Sequence, residues 1–342
     1  MNMDFVRLLL AWYDKNARAL PWRAGDDPYA VWVSEIMLQQ TRVNAALPYY
    51  RRWMAALPDI SSLAAVDDAR LHKLWEGLGY YSRARNLRRA AAELMHRYGG
   101  ELPRSYEALL SLPGIGEYTA GAIASIAFGE AVPAVDGNVL RVWARLCDDY
   151  RDVLDPRTRK AFRAAIAGVI PADSPGAFNA ALMELGETLC LPNAAPLCGR
   201  CPLGEQCLAR AAGSAAELPV RAKKKPRRIE CKTVFALLDE EGRPAVCRRP
   251  EEGLLAGLWQ LPEAEGFLEA DEAAEWMKSL DARPKGALLC CERRHCFTHI
   301  EWRMRVYAAE AAMALPEGWR WLDEGMALPT AYRVCLPETI RT

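Results

Sequence analysis

The chain has 342 residues, which is enough for two domains with separate cores. Lys and Arg together number 44, as do Asp and Glu, so the net charge is zero and no overall field selects an acidic partner. No apolar run reaches the roughly 18 residues that a membrane span needs. The 11 cysteines come without a secretory signal. We expect a cytoplasmic monomer with no membrane partner.

Residues 1–212 predict an almost wholly helical domain. Ala, Leu, Arg and Glu are dense there, and Pro or Gly recurs at intervals of a dozen or more residues. Asp27 followed by Pro28 is typical of a helix start, because Asp caps free amides and Pro fits the first turn. Residues 213–229 are small and basic and predict a linker.

Residues 230–342 predict a smaller α/β domain. Two strands are expected around a turn at Glu241-Gly242, and the segment 296–310 alternates in the manner of a further strand. A helix fits between Asp271 and Leu280.

The segment 30–38 is apolar on nearly every side and carries Glu35. Carboxylates are rarely buried unless they are paired or used in chemistry. Desolvation favours the protonated form, which a general acid working near neutral pH requires. The alternative is an ion pair with a core arginine such as Arg23, which would keep the carboxylate ionised.

Residues 109–125 predict a helix, a tight turn and a second helix. Pro113 ends the first helix, and Gly114 and Gly116 let the backbone turn sharply, so that amides face outward at the start of the second helix. Such a site suits an anion, although many helical hairpins need glycine merely to turn. The basic stretches 83–89 and 221–228 are either phosphate-binding patches or solvated faces.

Four cysteines lie in one short segment, at Cys190, Cys198, Cys201 and Cys207. Their soft thiolates predict a [4Fe–4S] cluster, in which each iron takes one sulfur ligand. A zinc ribbon would more often show two Cys-x2-Cys pairs, whereas only Cys198 and Cys201 form one. Disulfides are the third alternative.

These features together resemble the endonuclease III superfamily of DNA glycosylases and, within it, the MutY-type adenine DNA glycosylases. LPGIGEYTAGAI at 112–123 and VPAVDGNVLRV at 132–142 carry the helix-hairpin-helix and Gly/Pro-Asp signature, and the four-cysteine loop at 190–207 belongs to the same pattern. Three further segments narrow the resemblance to the MutY type. They are LPWR, VWVSEIMLQQTRV and GLGYYSRARN, which begin at residues 20, 31 and 77. The resemblance implies a mainly α, two-lobed glycosylase domain with a [4Fe–4S] loop, followed by a smaller α/β Nudix-like domain.

The resemblance implies removal of adenine mispaired with 8-oxoguanine, and less well with guanine, in double-stranded DNA. Glu35 would protonate N7 of the flipped adenine, and Asp136 would stabilise the cationic sugar or trap it covalently. Tyr118 and Asn138 would support them by hydrogen bonds. An ordinary role for Asp136 is to cap the helix at 139–146. Tyr118 stands where strand-cutting relatives carry a Schiff-base lysine, so we expect base removal without an efficient lyase step.

The same resemblance assigns further contacts. The adenine pocket would be lined by Trp22, Arg23, Leu38 and Glu184. DNA and the opposite base would be contacted by Gln40, Thr41, Leu78, Tyr80, Gly114, Gly116, Phe297, Thr298 and His299. Glu184 is alternatively a solvent-facing helical residue, and the residues at 40, 41, 78 and 80 are alternatively ordinary surface or core.

In the C-terminal part, Phe297-Thr298-His299 stands where the family has a lesion-reading Phe-Ser-His loop, and Thr keeps the hydroxyl. The acidic Nudix signature is absent, so Mg²⁺-dependent hydrolysis of nucleoside diphosphates is not expected. The alternative is a zinc site, built from Cys290, Cys291, His295, Cys296 and His299.

One departure from the family is the spacing between the first two cysteines, which is seven residues instead of six. A bulge around Asn193-Ala194 would absorb the extra residue, and the cluster would hold Arg200 and Arg210 against phosphates. Two rival functions remain. They are a glycosylase that removes thymine from T·G pairs and a non-catalytic, redox-sensing lesion binder. We expect a nucleoid-associated bacterial protein.

Overall fold

The computed structural model describes residues 3–25, 27–192, 195–222, 226–280, 282–312 and 314–337. The polypeptide divides into two compact units. The first, here called the helical unit, comprises Met1–Ala65 and Arg85–Lys223. The second, here called the sheet unit, comprises Val66–Ala84 and Lys224–Thr342.

The chain up to residue 212 is helical, as predicted. Its helices are α1 (Met3–Asn16), α2 (Pro28–Leu38), α3 (Val43–Ala56), α4 (Ile60–Ala65), α5 (Asp68–Trp75), α6 (Ser82–Tyr98), α7 (Tyr106–Leu110), α8 (Glu117–Phe128), α9 (Gly137–Leu146), α10 (Pro156–Ala167), α11 (Pro175–Thr188) and α12 (Leu208–Ala212). Short 3₁₀ turns lie at Pro21–Arg23, Cys198–Arg200 and Gly204–Gln206. No helix among the described residues is both long enough and apolar enough to cross a membrane.

Local chemistry explains where α2 and α9 begin. Asp27 caps α2 by accepting a hydrogen bond from the Tyr29 amide at 3.0 Å, and Pro28 occupies the first turn. Asp136 caps α9 in the same way. A core of large apolar side chains then fixes α1, α9 and α11 against one another, and it includes Phe5, Leu9, Trp143, Phe162, Phe178 and Leu185.

The predicted hairpin of helices is formed by α7 and α8. Gly114 adopts a φ of +75°, and a Cβ there would lie 2.6 Å from the Asn86 Cβ, so both the turn and the packing require glycine. Gly116 is the N-cap residue of α8 and has extended backbone. The α8 amides at this end are therefore free of a side-chain cap.

The sheet unit carries two sheets. Its strands are β1 (Arg228–Leu238), β2 (Ala245–Arg248), β3 (Trp259–Gln260), β4 (Glu263–Glu265), β5 (Arg283–Cys296), β6 (Ile300–Ala312) and β7 (Arg320–Trp321), and its later helices are α13 (Ala270–Ser279) and α14 (Thr330–Arg333). One sheet has the order β4-β1-β6-β5, with β1 parallel to β6, and the other has the order β3-β2-β7. The predicted α/β class is thus confirmed.

The structure corrects the single strand predicted over 296–310. The ladder of β5 and β6 closes at Cys296 opposite Glu301, and the Phe297 amide donates to the Ile300 carbonyl at 2.8 Å. Phe297, Thr298 and His299 therefore form the turn of a hairpin, because alternation alone does not reveal where an antiparallel pair reverses.

Residues 66–84, which the sequence placed with the other helices, group with the sheet unit. Glu76 accepts hydrogen bonds from the Leu328 amide at 2.9 Å and from Arg333 at 2.6 Å. Part of the predicted linker is packed rather than extended, since Leu218 is buried and its carbonyl accepts a hydrogen bond from Arg145. Residues 223–225 of that linker, like the bulge predicted at residues 193–194, lie outside the described residues.

We predict that Gly186→Ala destabilises the helical unit. A Cβ at this position of α11 would lie 2.7 Å from the Asn138 Cβ and 3.3 Å from its Cα, so α11 would have to move away from α9. Overpacking of this kind costs about 1–3 kcal/mol of unfolding free energy, measurable by urea denaturation. Gly168→Ala is the matched control, because its Cβ would meet nothing closer than 3.5 Å. Equal stability of the two variants would contradict the close contact.

Candidate active site

A cavity of about 820 Å³ opens in the helical unit between α2, α8, α9 and α11. Ten of the predicted site residues line it, namely Trp22, Arg23, Glu35, Leu38, Gln40, Gly116, Tyr118, Asp136, Asn138 and Glu184. Thr41 and Gly114, which belong to the same unit, do not line it. The fold therefore brings residues that are up to 162 positions apart in sequence (22 and 184) into one site.

Glu35 lies on the cavity wall with only 6% of its surface exposed. Burial raises the pKa of its carboxyl group to about 7, and a hydrogen bond donated by the Tyr118 hydroxyl opposes that rise. The Tyr118 oxygen also lies 3.2 Å from the Met183 sulfur. The alternative of a Glu35–Arg23 ion pair is not formed: Arg23 pairs with Glu184 at 2.9 Å and acts on Glu35 only through its charge, which lowers the pKa of that carboxyl group. Glu35 can therefore hold a proton near neutral pH.

Asp136 faces the same cavity and also caps α9. Its Oδ1 accepts hydrogen bonds from the amides of Asn138 and Val139 at 2.9 and 2.8 Å, and its Oδ2 accepts one from the Asn138 Nδ2 at 2.8 Å. Burial raises the pKa of Asp136, and these donors oppose that rise. The capping role and a catalytic role are therefore compatible in one side chain.

Asn138 is itself held by Arg141, a residue that the sequence did not single out. The Arg141 Nη2 donates to the Asn138 Oδ1 at 2.9 Å and to the Gly186 carbonyl at 2.7 Å, and its Nε donates to the Cys190 carbonyl at 2.8 Å. Arg141 is 3% exposed. A chain of hydrogen bonds thus joins Asp136 to the start of the cysteine loop. In the sequence, this contact was indicated only by the spacing of Asn138 and Arg141, which lie three residues apart on one helix.

Glu184 is not solvent-facing, since its side chain is wholly buried in an ionic cluster. Arg18 donates to both carboxylate oxygens, at 2.5 and 2.9 Å, and Arg23 donates to one of them at 2.9 Å. Although burial alone would raise it, these arginines hold the pKa of Glu184 below its usual value. Arg18 and Glu187 also line the cavity and were missed. The spacing of Glu184 and Glu187, three residues apart on α11, pointed to a shared face.

The four cysteines of the predicted cluster surround a second, small cavity of about 30 Å³ whose other walls are mostly apolar. All four are free thiols and half-buried. Arg145 donates to the Cys190 sulfur at 3.2 Å and to the Leu191 carbonyl at 3.0 Å. Burial raises the pKa of the Cys201 thiol to about 11. Four thiolates lining one mostly apolar cavity would need a cationic group between them, so the donor set fits an iron–sulfur cluster.

In the part of the chain that the structure describes, no three His, Cys, Asp or Glu side chains converge on a position for a single metal ion. The alternative zinc site near the β5–β6 turn is therefore not formed there. Alternation along β5 leaves Cys290 and Cys296 exposed on one face, with the side chains of Cys291 and His295 on the other.

The remaining predicted residues lie in the sheet unit. Tyr80 is 46% exposed with a φ of +48°, and its hydroxyl is hydrogen-bonded to the Thr298 hydroxyl at 2.8 Å. Phe297 anchors the turn by edge contacts with Trp302 and His295 at 4.9 and 4.6 Å. His299 is exposed beside them. Leu78 is 8% exposed, which agrees with the alternative of a core residue in this state of the protein.

Comparisons with known proteins assign the two parts of the chain to families. Residues 33–166 match the model of the HhH-GPD superfamily of base excision DNA repair proteins, and residues 233–337 match a NUDIX domain. A solved structure of a thermostable thymine-DNA glycosylase is 27% identical with a TM-score of 0.54, and the match covers 61% of this chain and 95% of that one.

Two curated relatives match over most of the chain. An adenine DNA glycosylase of Arabidopsis thaliana is 37% identical, and the match covers 97% of this chain. One of Homo sapiens is 35% identical, covering 92% of this chain and 69% of the relative. The chain spans 61% of the length of the Arabidopsis protein. The resemblance read from the motifs is confirmed: the chain belongs to the adenine DNA glycosylase family within the HhH-GPD superfamily.

Proposed function

We propose that the chain is a monofunctional DNA glycosylase that hydrolyses the N-glycosidic bond of adenine mispaired with 8-oxoguanine or guanine in duplex DNA. The observation that carries the proposal is the placement of buried Glu35, with its raised pKa, in one cavity with Tyr118 and Asp136. That cavity, of about 820 Å³, has room for a base turned out of the helix.

Glu35 would act as the general acid. A carboxyl group with a pKa of about 7 is partly protonated at neutral pH and can deliver its proton to N7 of adenine, which makes the base a better leaving group. The C1′–N9 bond then breaks, and the cationic deoxyribose is stabilised by the Asp136 carboxylate across the cavity. Water then adds to C1′ and gives up one proton, which the Glu35 carboxylate takes, so that the acid is restored. Tyr118 orients Glu35 through the hydrogen bond that it donates.

Cleavage of the DNA strand is not expected. That reaction needs an amine to form a Schiff base with the sugar. Tyr118 has none, and no lysine lines the cavity among the described residues. A phenol whose pKa is raised by burial is also a poor nucleophile at neutral pH.

The opposite base would be read by the sheet unit. The exposed Tyr80 ring suits stacking on a base, and the Thr298 hydroxyl beside it can donate or accept a hydrogen bond. The turn that carries Thr298 is fixed by Phe297 and by the Arg227 Nε, which donates to the Phe297 carbonyl at 2.9 Å. A rigid turn next to an aromatic side chain is suited to distinguishing 8-oxoguanine from guanine at one position.

A thymine glycosylase is the second candidate, because the thymine-DNA glycosylase structure resembles the helical part of the chain. The adenine glycosylases match over 92–97% of the chain, including the NUDIX region, and so favour adenine. Duplexes containing A·8-oxoG, A·G, T·G or thymine glycol test this choice directly. Release of thymine alone would refute the adenine assignment, and tight binding without an abasic product would favour a non-catalytic lesion binder.

A [4Fe–4S] cluster would be held by Cys190, Cys198, Cys201 and Cys207, one thiolate on each iron. When bound, the cluster would supply structural cross-linking of the loop. Arg145 would hold the first ligand, since it donates to the Cys190 sulfur. Arg141 would connect that same segment to Asn138 and so to the active site.

Glu35→Gln should bind mismatched duplex yet excise adenine about 10²–10⁴-fold more slowly in single-turnover assays, because the amide cannot give up a proton. The wild-type rate should fall as pH rises through about 7. Folding raises the pKa of Glu35 from 4.5 to about 7, so the folded protein holds this proton more tightly than the unfolded chain. The free energy of unfolding of the wild type should therefore fall, relative to that of the Gln variant, by on the order of 3 kcal/mol as the pH rises between these two values. Unchanged turnover of the variant would remove Glu35 from its role.

Cys198→Ser should lower the iron content from about four atoms per chain and bleach the visible absorbance of anaerobically purified protein, because one iron loses its thiolate. The control is Cys231→Ser, an exposed thiol on β1 of the sheet unit. The same iron content in both variants, or none in the wild type, would contradict a cluster at this loop.

Tyr80 and Thr298 should act as one unit in reading the opposite base. In a double-mutant cycle, Tyr80→Phe and Thr298→Val should each lower the preference for A·8-oxoG over A·G, and the double variant should be no worse than the poorer single one. The expected coupling is about 0.5–1.5 kcal/mol. Thr298→Ser keeps the hydroxyl and should retain the preference. Strict additivity of the two changes would show that the hydroxyls act independently.

A further inference from the structure

The cavity contains more carboxylates than the proposed chemistry uses. Beyond Glu35 and Asp136 it is lined by Glu117, Glu184 and Glu187. Glu117 is 73% exposed at the start of α8, where it lies 3.3 Å from Arg163. Glu184 is buried behind two arginines. Glu187, on the last turn of α11, has no role in the reaction described above.

Within the described part of the chain, one carboxylate oxygen of Glu187 is free to accept a hydrogen bond, whereas both oxygens of Asp136 and of Glu184 are occupied. Its Oε2 accepts a hydrogen bond from the Arg18 Nη2 at 2.6 Å, and its Oε1 accepts none from the described residues. Both oxygens of Asp136 are occupied by donors from α9, and both oxygens of Glu184 are occupied by arginine donors. The side chain of Glu187 is 34% exposed, so it is accessible from the cavity while Arg18 restrains it.

Glu187 lines the same cavity as the proposed acid. Burial is the main cause of the raised pKa values of Glu35, Tyr118 and Asp136, and the charge of Glu187 adds to each of them. The carboxylate of Glu187 thus shares one cavity with all three groups. Arg18 donates to Glu187, and Arg23 shares the carboxylate of Glu184 with Arg18.

The chemistry of the base requires an acceptor in this region. Along its Hoogsteen edge, adenine presents N7 as an acceptor and, next to it, the exocyclic amine as a donor. If Glu35 delivers a proton to N7, the amine must lie near Glu35 as well. A buried amine without a partner would cost the free energy of an unmade hydrogen bond. Of the carboxylates that line the cavity, Glu187 combines restraint by Arg18 and partial exposure with an oxygen that accepts no hydrogen bond from the described residues.

We propose that Glu187 accepts a hydrogen bond from the exocyclic amine of the expelled purine and thereby selects adenine. The assignment rests on the proposed function. The two glutamates of α11 thereby receive different roles. Glu184 fixes Arg18 and Arg23 in the cavity wall. Glu187 is positioned by Arg18 and contacts the base. A carbonyl oxygen in place of the amine would face the carboxylate and be repelled, so hypoxanthine is disfavoured.

The test compares three bases opposite 8-oxoguanine in otherwise identical duplexes: adenine, hypoxanthine and unsubstituted purine. Single-turnover excision is measured for the wild type, Glu187→Ala, Glu187→Gln and the control Glu93→Ala. Glu93 is a helical glutamate of α6 that is ion-paired with Arg97 and does not line the cavity. The melting temperature of each variant reports whether a change is merely structural.

In Glu187→Ala the ratio of adenine to hypoxanthine excision should fall at least about tenfold, because the amine loses its acceptor and the carbonyl loses its repulsion. Excision of unsubstituted purine should stay within a factor of about three, which is the scatter expected of an unrelated surface change. Glu187→Gln keeps an acceptor oxygen and should lie between the Ala variant and the wild type. Glu93→Ala should keep the wild-type ratio.

Two results would overturn the assignment. An unchanged adenine-to-hypoxanthine ratio in a Glu187→Ala variant that still excises adenine would show that Glu187 does not contact the amine. An equal fall for all three bases would show that Glu187 supports the cavity as a whole. If the wild type released no adenine from any duplex, the proposed function itself would fail, and that outcome is distinguishable from the other two.

Discussion

The burial of one carboxyl group is the constraint on which the rest of the site depends. Glu35 occupies a helix that is apolar on nearly every face, so its ionised form would lose hydration, and the charge of Arg23 offsets only part of that loss. The Tyr118 hydroxyl offers a hydrogen bond but no charge. The proton therefore stays on Glu35 at a pH where an exposed glutamate would long have lost it. Had Arg23 paired with Glu35, the site would hold an ionised carboxylate and no acid.

The surroundings keep Arg23 away from Glu35. Glu184 engages Arg23 together with Arg18, and Glu187 also pairs with Arg18, so the two positive charges of this wall are matched by two carboxylates. Asp136 is kept in place differently, by helix α9 and by Asn138. The site thus divides its carboxylates by environment: one is desolvated, one is held by amide donors and one is bound to arginine. Different surroundings give chemically identical groups different tasks.

Much of the local structure of the site was predictable from the sequence. The apolar run around Glu35, the Gly114 turn and the Asp136 cap predicted local structure correctly, because each depends on neighbouring residues. The partners of Glu184 and the contact from Arg141 to the cysteine loop were not predictable, because helix packing decides them. The strand predicted across Phe297 failed for a related reason: alternation reports which face a residue occupies and not where two strands reverse. The roles of the cysteines and of Thr298 in DNA repair stay predictions.

The central claim is that Glu35 carries a proton near neutral pH because it is buried. The most direct measurement is the titration of its carboxyl carbon by ¹³C NMR in the free protein labelled at glutamate, with the Glu35→Gln variant assigning the signal. The account predicts a midpoint at about 7. A midpoint near the ordinary value of 4.5 would mean that the carboxyl is solvated or ionised in the folded protein, and the proposed acid would have no proton to give.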